Sequence, residues 1–225
     1  MSSVSAGIDF GTTNSAVAVS AGGAVPRLVS FDGKPTIPSA LFYPDDKSGV
    51  LFGEQALQAY LSGREGRFMR SLKRVLGTDL MTVGTTVNGR PRRFENILAQ
   101  FVSYLKNTAE NNLQTEISKV VMGRPVHFRD NDAAGDARAE NELENIARSV
   151  GFKEVCFQYE PIAAAFALKR NSKAKNLPAL QTLAAVPRIL LLSALVPDCP
   201  LKTTGGTIFC PQAASASAAT ILTVI

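Results

Sequence analysis

The 225-residue sequence contains no tryptophan, a single histidine (His127) and three cysteines without a Cys-x-x-Cys pair. These counts exclude a zinc site built from cysteine and histidine, which needs about four such ligands at close spacing. No tract of five like charges occurs and the net charge is only +5, which argues against nucleic acid as a partner. The strongly apolar run at residues 189–196 is far shorter than the roughly 20 residues of a membrane span, so we expect no membrane partner.

The composition is that of a folded protein, and we expect no export signal. Hydrophobic residues make up 45% of the chain and charged residues 19%, which is typical of a globular domain with a hydrophobic core. The first ten residues contain neither the basic stretch nor the apolar segment of a signal peptide. We therefore expect a cytoplasmic protein.

The charged residues thin out sharply near residue 170. Of the 24 basic and 19 acidic residues of the chain, those beyond residue 170 are only Lys173, Lys175, Arg188, Asp198 and Lys202. Alanine, leucine, proline, serine and threonine dominate there instead. We therefore divide the chain into a first domain at residues 1–170 and a tail at residues 171–225.

The first domain alternates short strands with amphipathic helices, which is the pattern of an α/β protein. The sequence predicts strands at Val4–Phe10, Ser15–Ser20, Ile37–Tyr43, Lys119–Val126 and Glu154–Tyr159, the first two forming a hairpin. Apolar residues at helical spacing predict helices at Glu95–Leu113 and Ala133–Val150, the second ending at Gly151. Pro161 is expected to open a further helix of small residues.

The segment GIDFGTTNS at residues 7–15 has the features of a phosphate-binding turn. Backbone N–H groups of a tight turn, with the hydroxyls of Thr12 and Thr13, can cradle phosphate oxygens, and Gly11 permits close backbone approach. Asp9, at the end of the strand, can hold a hydrated Mg²⁺ that touches the phosphates. The alternative is a plain hairpin turn that happens to contain glycine and threonine. The presence of the whole nine-residue segment after an apolar strand disfavours this alternative.

Two further segments carry charged residues suited to phosphate chemistry. Glu160 stands between a predicted strand and a predicted helix, where its carboxylate can orient an attacking water, although the helix dipole alone also favours a glutamate there. Lys73, in a segment at residues 68–77 interpreted as helical, can reach a γ-phosphate as a point charge. A lysine on a solvated face is the simpler explanation of that residue.

Together and in this order, the three segments resemble the nucleotide-binding domain of the DnaK-type (seventy-kilodalton heat-shock) chaperones. GIDFGTTNS is similar to the first phosphate loop of that family, LKRVLG to the segment with its phosphate-contacting lysine, and EPIAAA to its first connecting motif. VVMGRPV and FQYEP resemble the short branch called YegD. Over residues 4–170 the resemblance implies an incomplete α/β lobe of the actin-like ATPase (ribonuclease H-like) fold, with a mixed sheet flanked by helices.

The resemblance also implies ATP and Mg²⁺ as ligands, and unfolded proteins as clients of an intact family member. Asp9 would serve the metal ion, and Thr12, Lys73 and Glu160 would be the catalytic residues, Lys73 neutralising the γ-phosphate and Glu160 orienting the water. The β- and γ-phosphates would be held by Gly11, Thr12, Thr13 and Asn14. Because sugar kinases of the same superfold share part of the first motif, a phosphotransferase is the alternative.

The second phosphate loop of that family, Asp-x-Gly-Gly-Gly-Thr, does not follow Glu160. The bases that encode Leu180–Leu190 can also be read in the frame that starts at the third base of each codon. For one permitted choice of codons, that frame encodes Ala-Asp-Ile-Gly-Gly-Gly-Thr-Ser-Asp-Phe. The same regrouping of Gln212–Val224 permits Gly-Gly-Val-x-Val-Gly-Gly-Asn-Asp-Phe-Asp-Arg, which resembles a later segment of the family. We therefore expect an out-of-frame, poorly ordered tail from residues 172–181 onward, and a truncated, inactive fragment that binds little ATP.

Overall fold

The computed structural model describes residues 4–22 and 24–161. Its strands, in chain order, are β1 (Val4–Phe10), β2 (Asn14–Ala21), β3 (Arg27–Leu28), β4 (Ile37–Pro38), β5 (Ala40–Pro44), β6 (Leu51–Phe52), β7 (Gly66–Arg70), β8 (Gly84–Val87), β9 (Arg90–Arg93), β10 (Lys119–Arg124) and β11 (Glu154–Tyr159). Its α-helices are α1 (Gly53–Leu61), α2 (Phe94–Leu113) and α3 (Ala133–Ser149). Two short 3₁₀ helices cover Leu72–Val75 and Asp79–Met81.

The main sheet has the strand order β11-β10-β1-β2-β3, and β4 also pairs with β2. Strands β1, β10 and β11 run parallel to one another, whereas β2 is antiparallel to β1. The expected mixed sheet is therefore confirmed. Because parallel strands point the same way, the carboxyl ends of β1, β10 and β11 meet at one edge of the sheet.

Helices α2 and α3 cover one face of this sheet. Apolar side chains repeat at helical spacing along α2 and are fully buried there, namely Ile97, Leu98, Phe101, Val102 and Leu105. They pack with Leu143 and Ile146 of α3 and with Ile8 and Met122 of the sheet in one continuous core. Burying each side chain of this size contributes roughly 1.5–3 kcal/mol, so this face supplies much of the stability of the lobe.

A smaller unit inserts between the main-sheet strands β4 and β10. It consists of the sheet β6-β5-β7, helix α1 and the two-stranded β8–β9 hairpin. The hairpin turns at Asn88 and Gly89, whose φ angles of 52° and 73° are those of the tight turn that Asn-Gly favours. Among the described residues, no helix combines the length and apolar character that a bilayer crossing needs.

Most of the predicted elements are confirmed, and three are corrected. The run Ile37–Tyr43 is not one strand, because it breaks at Ser39 into β4 and β5, which belong to different sheets. The segment at residues 68–77 is not an α-helix but the end of β7 followed by a 3₁₀ helix. The strand predicted at Lys119–Val126 stops at Arg124, because Pro125 lacks the N–H that would extend the ladder.

The end of the described part bears on the remaining predictions. Glu160 and Pro161 are already helical, so the helix expected at Pro161 begins one residue earlier. The small-residue continuation of that helix and the whole tail at residues 171–225 lie outside the described residues. The expectations for them stay predictions.

Candidate functional site

The candidate site is built at the carboxyl edge of the three parallel strands. Gly11 directly follows β1, Arg124 ends β10, and Glu160 directly follows β11. In open sheets with parallel strands, ligands bind at this edge because successive loops open there. The fold therefore gathers residues that are separated by more than a hundred positions in the sequence.

The loop after β1 is a sharp turn that only glycine can begin. A Cβ atom at Gly11 would lie 2.1 Å from the backbone oxygen of Asn14, well inside van der Waals contact. Thr12, Thr13 and Asn14 are exposed, and their side chains form no hydrogen bond within the described residues. The turn thus leaves two hydroxyls and a carboxamide facing solvent, which suits the oxygens of a phosphate.

Ser39 anchors this loop through hydrogen bonds to its backbone, a role that the sequence did not reveal. The Ser39 N–H donates to the Thr13 carbonyl at 2.8 Å, and the Ser39 hydroxyl donates to the Gly11 carbonyl at 2.7 Å. The same hydroxyl shares a 2.8 Å hydrogen bond with Ser15, and because its proton is used on Gly11 it accepts that of Ser15. Both serines are buried. The only sequence signal was a proline, Pro38, and a serine inside an otherwise apolar run.

We expect Ser39→Ala to lower the free energy of unfolding by about 2 kcal/mol, since the buried Ser15 hydroxyl and the Gly11 carbonyl lose their partner. Urea denaturation of the purified chain measures this. The matched control is Ser30→Ala, because Ser30 is exposed and its substitution should change stability by less than about 0.5 kcal/mol. Equal effects of the two substitutions would show that Ser39 does not anchor the loop.

Lys73 and Glu160 meet at the end of β11. The Lys73 Nζ atom lies 2.7 Å from the Glu160 Oε1 atom, and the two side chains are 9% and 21% exposed. They are 87 positions apart in the sequence, so only the fold joins them. No hydrogen bond or ion pair connects this couple to residues 11–14 within the described part of the chain.

The segment that carries Lys73 is fixed against α3 through Gly77. A Cβ at Gly77 would lie 2.3 Å from the carbonyl oxygen of Gly135, so the close approach to α3 depends on this glycine. The Gly77 N–H donates to a Glu142 carboxylate oxygen at 2.7 Å, and Arg138 donates to the Gly77 carbonyl at 3.1 Å. These contacts explain why the segment ends in glycine.

A second feature missed by the sequence interpretation is the buried Arg124. Its guanidinium forms ion pairs with Asp136, at 2.6 Å, and with Glu140 of α3, and its side chain is only 7% exposed. It also lies over the ring of Tyr159, 5.0 Å from the centroid, and over that of Phe128 at 5.2 Å. Arg124 therefore ties the ends of β10 and β11 to α3 immediately beside Glu160.

The carboxylate of Asp136 is held in its charged form. Burial raises its pKa, but hydrogen bonds from the Phe128 N–H and the Arg124 guanidinium outweigh burial, so the pKa of Asp136 is lowered from its ordinary value. Arg124 thus faces a charged partner throughout the physiological pH range. The Phe128 N–H donates one of these hydrogen bonds to the Asp136 carboxylate. This bond also fixes the loop at residues 125–132.

A bound Mg²⁺ would depend on Asp9. Asp9 is partly buried near the end of β1, paired in register with Ala16. No group of three potential metal-ligating side chains occurs among the described residues. Because Mg²⁺ commonly uses one or two carboxylates together with water and phosphate oxygens, a single carboxylate beside a phosphate-compatible turn fits that ion.

The mixed sheet flanked by helices, with its glycine-dependent turn after β1, is part of the actin-like ATPase fold. A sequence model of the family described as Hsp70 protein matches residues 5–176. The chain therefore belongs to the Hsp70 family. This membership favours the chaperone-type branch of the superfold over the sugar kinases that the first motif left open.

Individual relatives agree with the family assignment. The chaperone protein HscA homolog of Rickettsia peacockii (strain Rustic) is 31% identical over 186 residues, which cover 77% of this chain and 29% of the relative. The homolog of Rickettsia rickettsii (strain Sheila Smith) has the same values. That of Rickettsia bellii (strain RML369-C) is 30% identical over 181 residues, or 75% of this chain and 28% of the relative. The chain thus spans less than a third of the length of these relatives.

Proposed function

We propose that this lobe binds the phosphates of Mg²⁺-ATP at the loop formed by residues 11–14, and that Lys73 and Glu160 serve the hydrolysis of ATP. The observation that carries the proposal is the 2.7 Å contact between Lys73 and Glu160 at the carboxyl edge of the sheet. Family membership supports it, since Hsp70 proteins are ATPases with chaperone function. The parent protein would accordingly be a cytoplasmic, ATP-dependent chaperone of unfolded proteins.

The chemistry follows from the types of side chain that meet there. A lysine ammonium is a compact charge that can neutralise a terminal phosphate, and a carboxylate can accept a proton from, and so orient, an attacking water. Without nucleotide the two side chains neutralise each other. When a terminal phosphate attracts Lys73, the Glu160 carboxylate becomes available to the water, so that positioning and electrostatics provide the catalysis.

Each remaining group has a part in binding. Thr12 and Thr13 would donate their exposed hydroxyls to phosphate oxygens, and Asn14 would donate its carboxamide. Asp9 would hold the hydrated Mg²⁺, which when bound neutralises phosphate charge. Ser39 keeps the loop in shape through the Gly11 carbonyl. Glu160 would contact the attacking water, and Thr12 would contact the γ-phosphate.

We further propose that the coding sequence changes frame at residues 172–181, and that the other frame encodes the second phosphate loop. The support is the ordered recovery of two family segments from one shift of the tail. A nucleotide held by one loop lacks the contacts that the second would add. We therefore expect this chain to bind ATP weakly and not to hydrolyse it. We also place it in the YegD-like branch on its VVMGRPV and FQYEP segments.

The test compares this chain with a protein made from DNA in which the insertion of one base near codons 172–181 restores the second frame. We expect the frame-restored protein to bind Mg²⁺-ATP at least about 100-fold more tightly, equivalent to about 2.7 kcal/mol, as measured by calorimetry. In that protein, Glu160→Gln should lower kcat by about 100-fold while leaving ATP affinity nearly unchanged.

Two results would contradict these proposals separately. Equal ATP affinity of this chain and the frame-restored protein would refute the proposal that tight ATP binding needs the second phosphate loop. Unchanged kcat in Glu160→Gln would refute the role of that carboxylate but leave the binding loop in place. Resequencing the gene across codons 165–230 comes first, because it decides which of the two proteins the cell makes.

A further inference from the structure

A cavity of about 270 Å³ lies between the loop at residues 44–50 and the β8–β9 hairpin. Lys47, Arg90 and Arg92 line it, together with Tyr43, Asn88 and two valines. No carboxylate and no residue of the phosphate loop lines it. It is therefore separate from the nucleotide site, and nothing proposed so far uses it.

The three cations of this cavity have no ion-pair partner within the described residues. The neighbouring Arg64 differs, because it pairs with Asp46 at 2.6 Å. Arg90 and Arg92 are two positions apart on β9 and so share one face of the strand, where like charges repel. The cavity thus concentrates positive charge that the described part of the chain does not neutralise.

The Tyr43 hydroxyl does not supply a negative charge either. Burial raises the pKa of Tyr43 to about 12, against the opposing effect of Arg92, so the phenol is neutral at physiological pH. Its hydroxyl is hydrogen-bonded to the Gln100 Oε1 atom at 2.5 Å. The ring of Tyr43 instead supports the Arg92 guanidinium, which lies 5.7 Å from its centroid.

The walls of the cavity are held in place without a ligand. The Lys47 N–H donates to the Pro44 carbonyl at 3.1 Å, and the Asn88 carboxamide donates to the same carbonyl at 3.1 Å. The loop and the hairpin turn are thereby joined through one acceptor. A preorganised site loses less conformational entropy on binding, so these cations can bind a ligand without refolding either wall.

We propose that this cavity binds a small phosphate-bearing molecule whose oxygens accept hydrogen bonds from Lys47, Arg90 and Arg92. Two guanidinium groups and an ammonium supply the positive charge and the N–H donors that a phosphate dianion accepts. The cavity volume is near the lower end of ligand sites, which suits an inorganic phosphate or a short phosphomonoester. The proposal does not depend on nucleotide binding at the phosphate loop.

A second cavity nearby provides an internal comparison. It has a volume of about 340 Å³ and is lined by Arg93 together with Glu95 and Glu142. Because charges of both signs line it, it offers no excess attraction for an anion. Arg93 is also the neighbour of Arg92 on β9 and faces the other way, so it differs from Arg92 in surroundings but not in charge.

The experiment titrates the full chain with inorganic phosphate, with glycerol 3-phosphate and with glycerol, at constant ionic strength. Calorimetry measures affinity, and the Nε–Hε signals of the arginines in NMR spectra report which side chains respond. We expect both phosphates to bind and glycerol not to bind, with the Arg90 and Arg92 signals shifting. Arg90→Gln and Arg92→Gln should each weaken binding by about tenfold, as loss of a charge-assisted bidentate contact predicts, and Arg93→Gln by less than about twofold.

The outcomes distinguish an organic phosphate ligand from inorganic phosphate, and they distinguish both from an explanation without any ligand. Tighter binding of glycerol 3-phosphate than of phosphate supports an organic phosphate ligand, and equal binding supports phosphate itself. The alternative is that β9 carries charge only to protect an exposed strand from pairing with other chains. Absence of phosphate binding, or equal weakening by Arg92→Gln and Arg93→Gln, would establish that alternative and overturn the proposal.

Discussion

Arg124→Met is expected to lower the free energy of unfolding by about 3–5 kcal/mol, because it leaves two largely buried carboxylates without their cation. Asp136 and Glu140 both pair with Arg124, and their side chains are only 17% and 11% exposed. Methionine fills much of the same volume, so the loss reports charge rather than packing. Urea denaturation at pH 7 measures the effect.

Two comparisons isolate the cause of this loss. The triple substitution Arg124→Met, Asp136→Asn and Glu140→Gln removes all three charges and should recover most of the lost stability. Arg148→Met, which breaks the ion pair of Arg148 and Glu144 whose side chains are 49% and 34% exposed, should cost less than about 1 kcal/mol. No recovery in the triple variant would show that Arg124 acts by shape alone.

The pH dependence of the same variant has a definite sign. The pKa of Asp136 is lowered in the folded protein, so its contribution to stability is present above the pKa of the unfolded chain and is lost as pH falls through the folded pKa. In Arg124→Met, the contribution of Arg124 to the lowered pKa of Asp136 is lost. The difference in stability between wild type and variant should therefore shrink as the pH falls from 7 to below about 4.

Gly11→Ala should lower the free energy of unfolding by about 3 kcal/mol, toward the upper end of overpacking costs. The added Cβ would lie 2.1 Å from the backbone oxygen of Asn14, and backbone atoms yield less readily than a flexible side chain. The loop must open, which also separates Ser39 from the Gly11 carbonyl. Denaturation curves measure the stability, and backbone amide shifts of Thr12 and Thr13 report the opening.

Gly63→Ala is the matched control for this substitution. A Cβ at Gly63 meets nothing within 4 Å, although φ there is +73°, so its cost is confined to backbone strain of about 1 kcal/mol. The difference between the two variants measures the steric conflict inside the loop at residues 11–14. If both variants lose the same stability, the loop tolerates a side chain and its shape does not require glycine.

Regular elements were predictable where one local pattern decides them. The bounds of β1 and β11 are those that the sequence predicted, and α2 and α3 differ from prediction by one residue at an end. In each, hydrophobic periodicity and the local backbone preference agree, so tertiary contacts have nothing to override. Gly151, with φ at +101°, ends α3 as expected of a C-terminal glycine.

Two of the errors occurred where a buried polar group or a proline redirects the chain. The run Ile37–Tyr43 satisfied a strand pattern, yet Ser39 leaves it to bond the loop at residues 11–14, so the two halves enter different sheets. Arg124 lay within the strand predicted at Lys119–Val126, and nothing in one sequence indicates that a basic residue there is buried. Both depend on partners distant in the chain, which local patterns do not encode.

The sequence alone determined the α/β class, the principal strands of the main sheet, the two long helices and the chemical types of the candidate site residues, because these follow from periodicity and from short motifs. Only the tertiary structure decided which of those residues meet. Lys73 and Glu160 are in contact because parallel strand ends and the close approach of Gly77 to α3 bring them together. The cation-lined cavity was equally invisible in the sequence, since it arises where a hairpin packs on a distant loop.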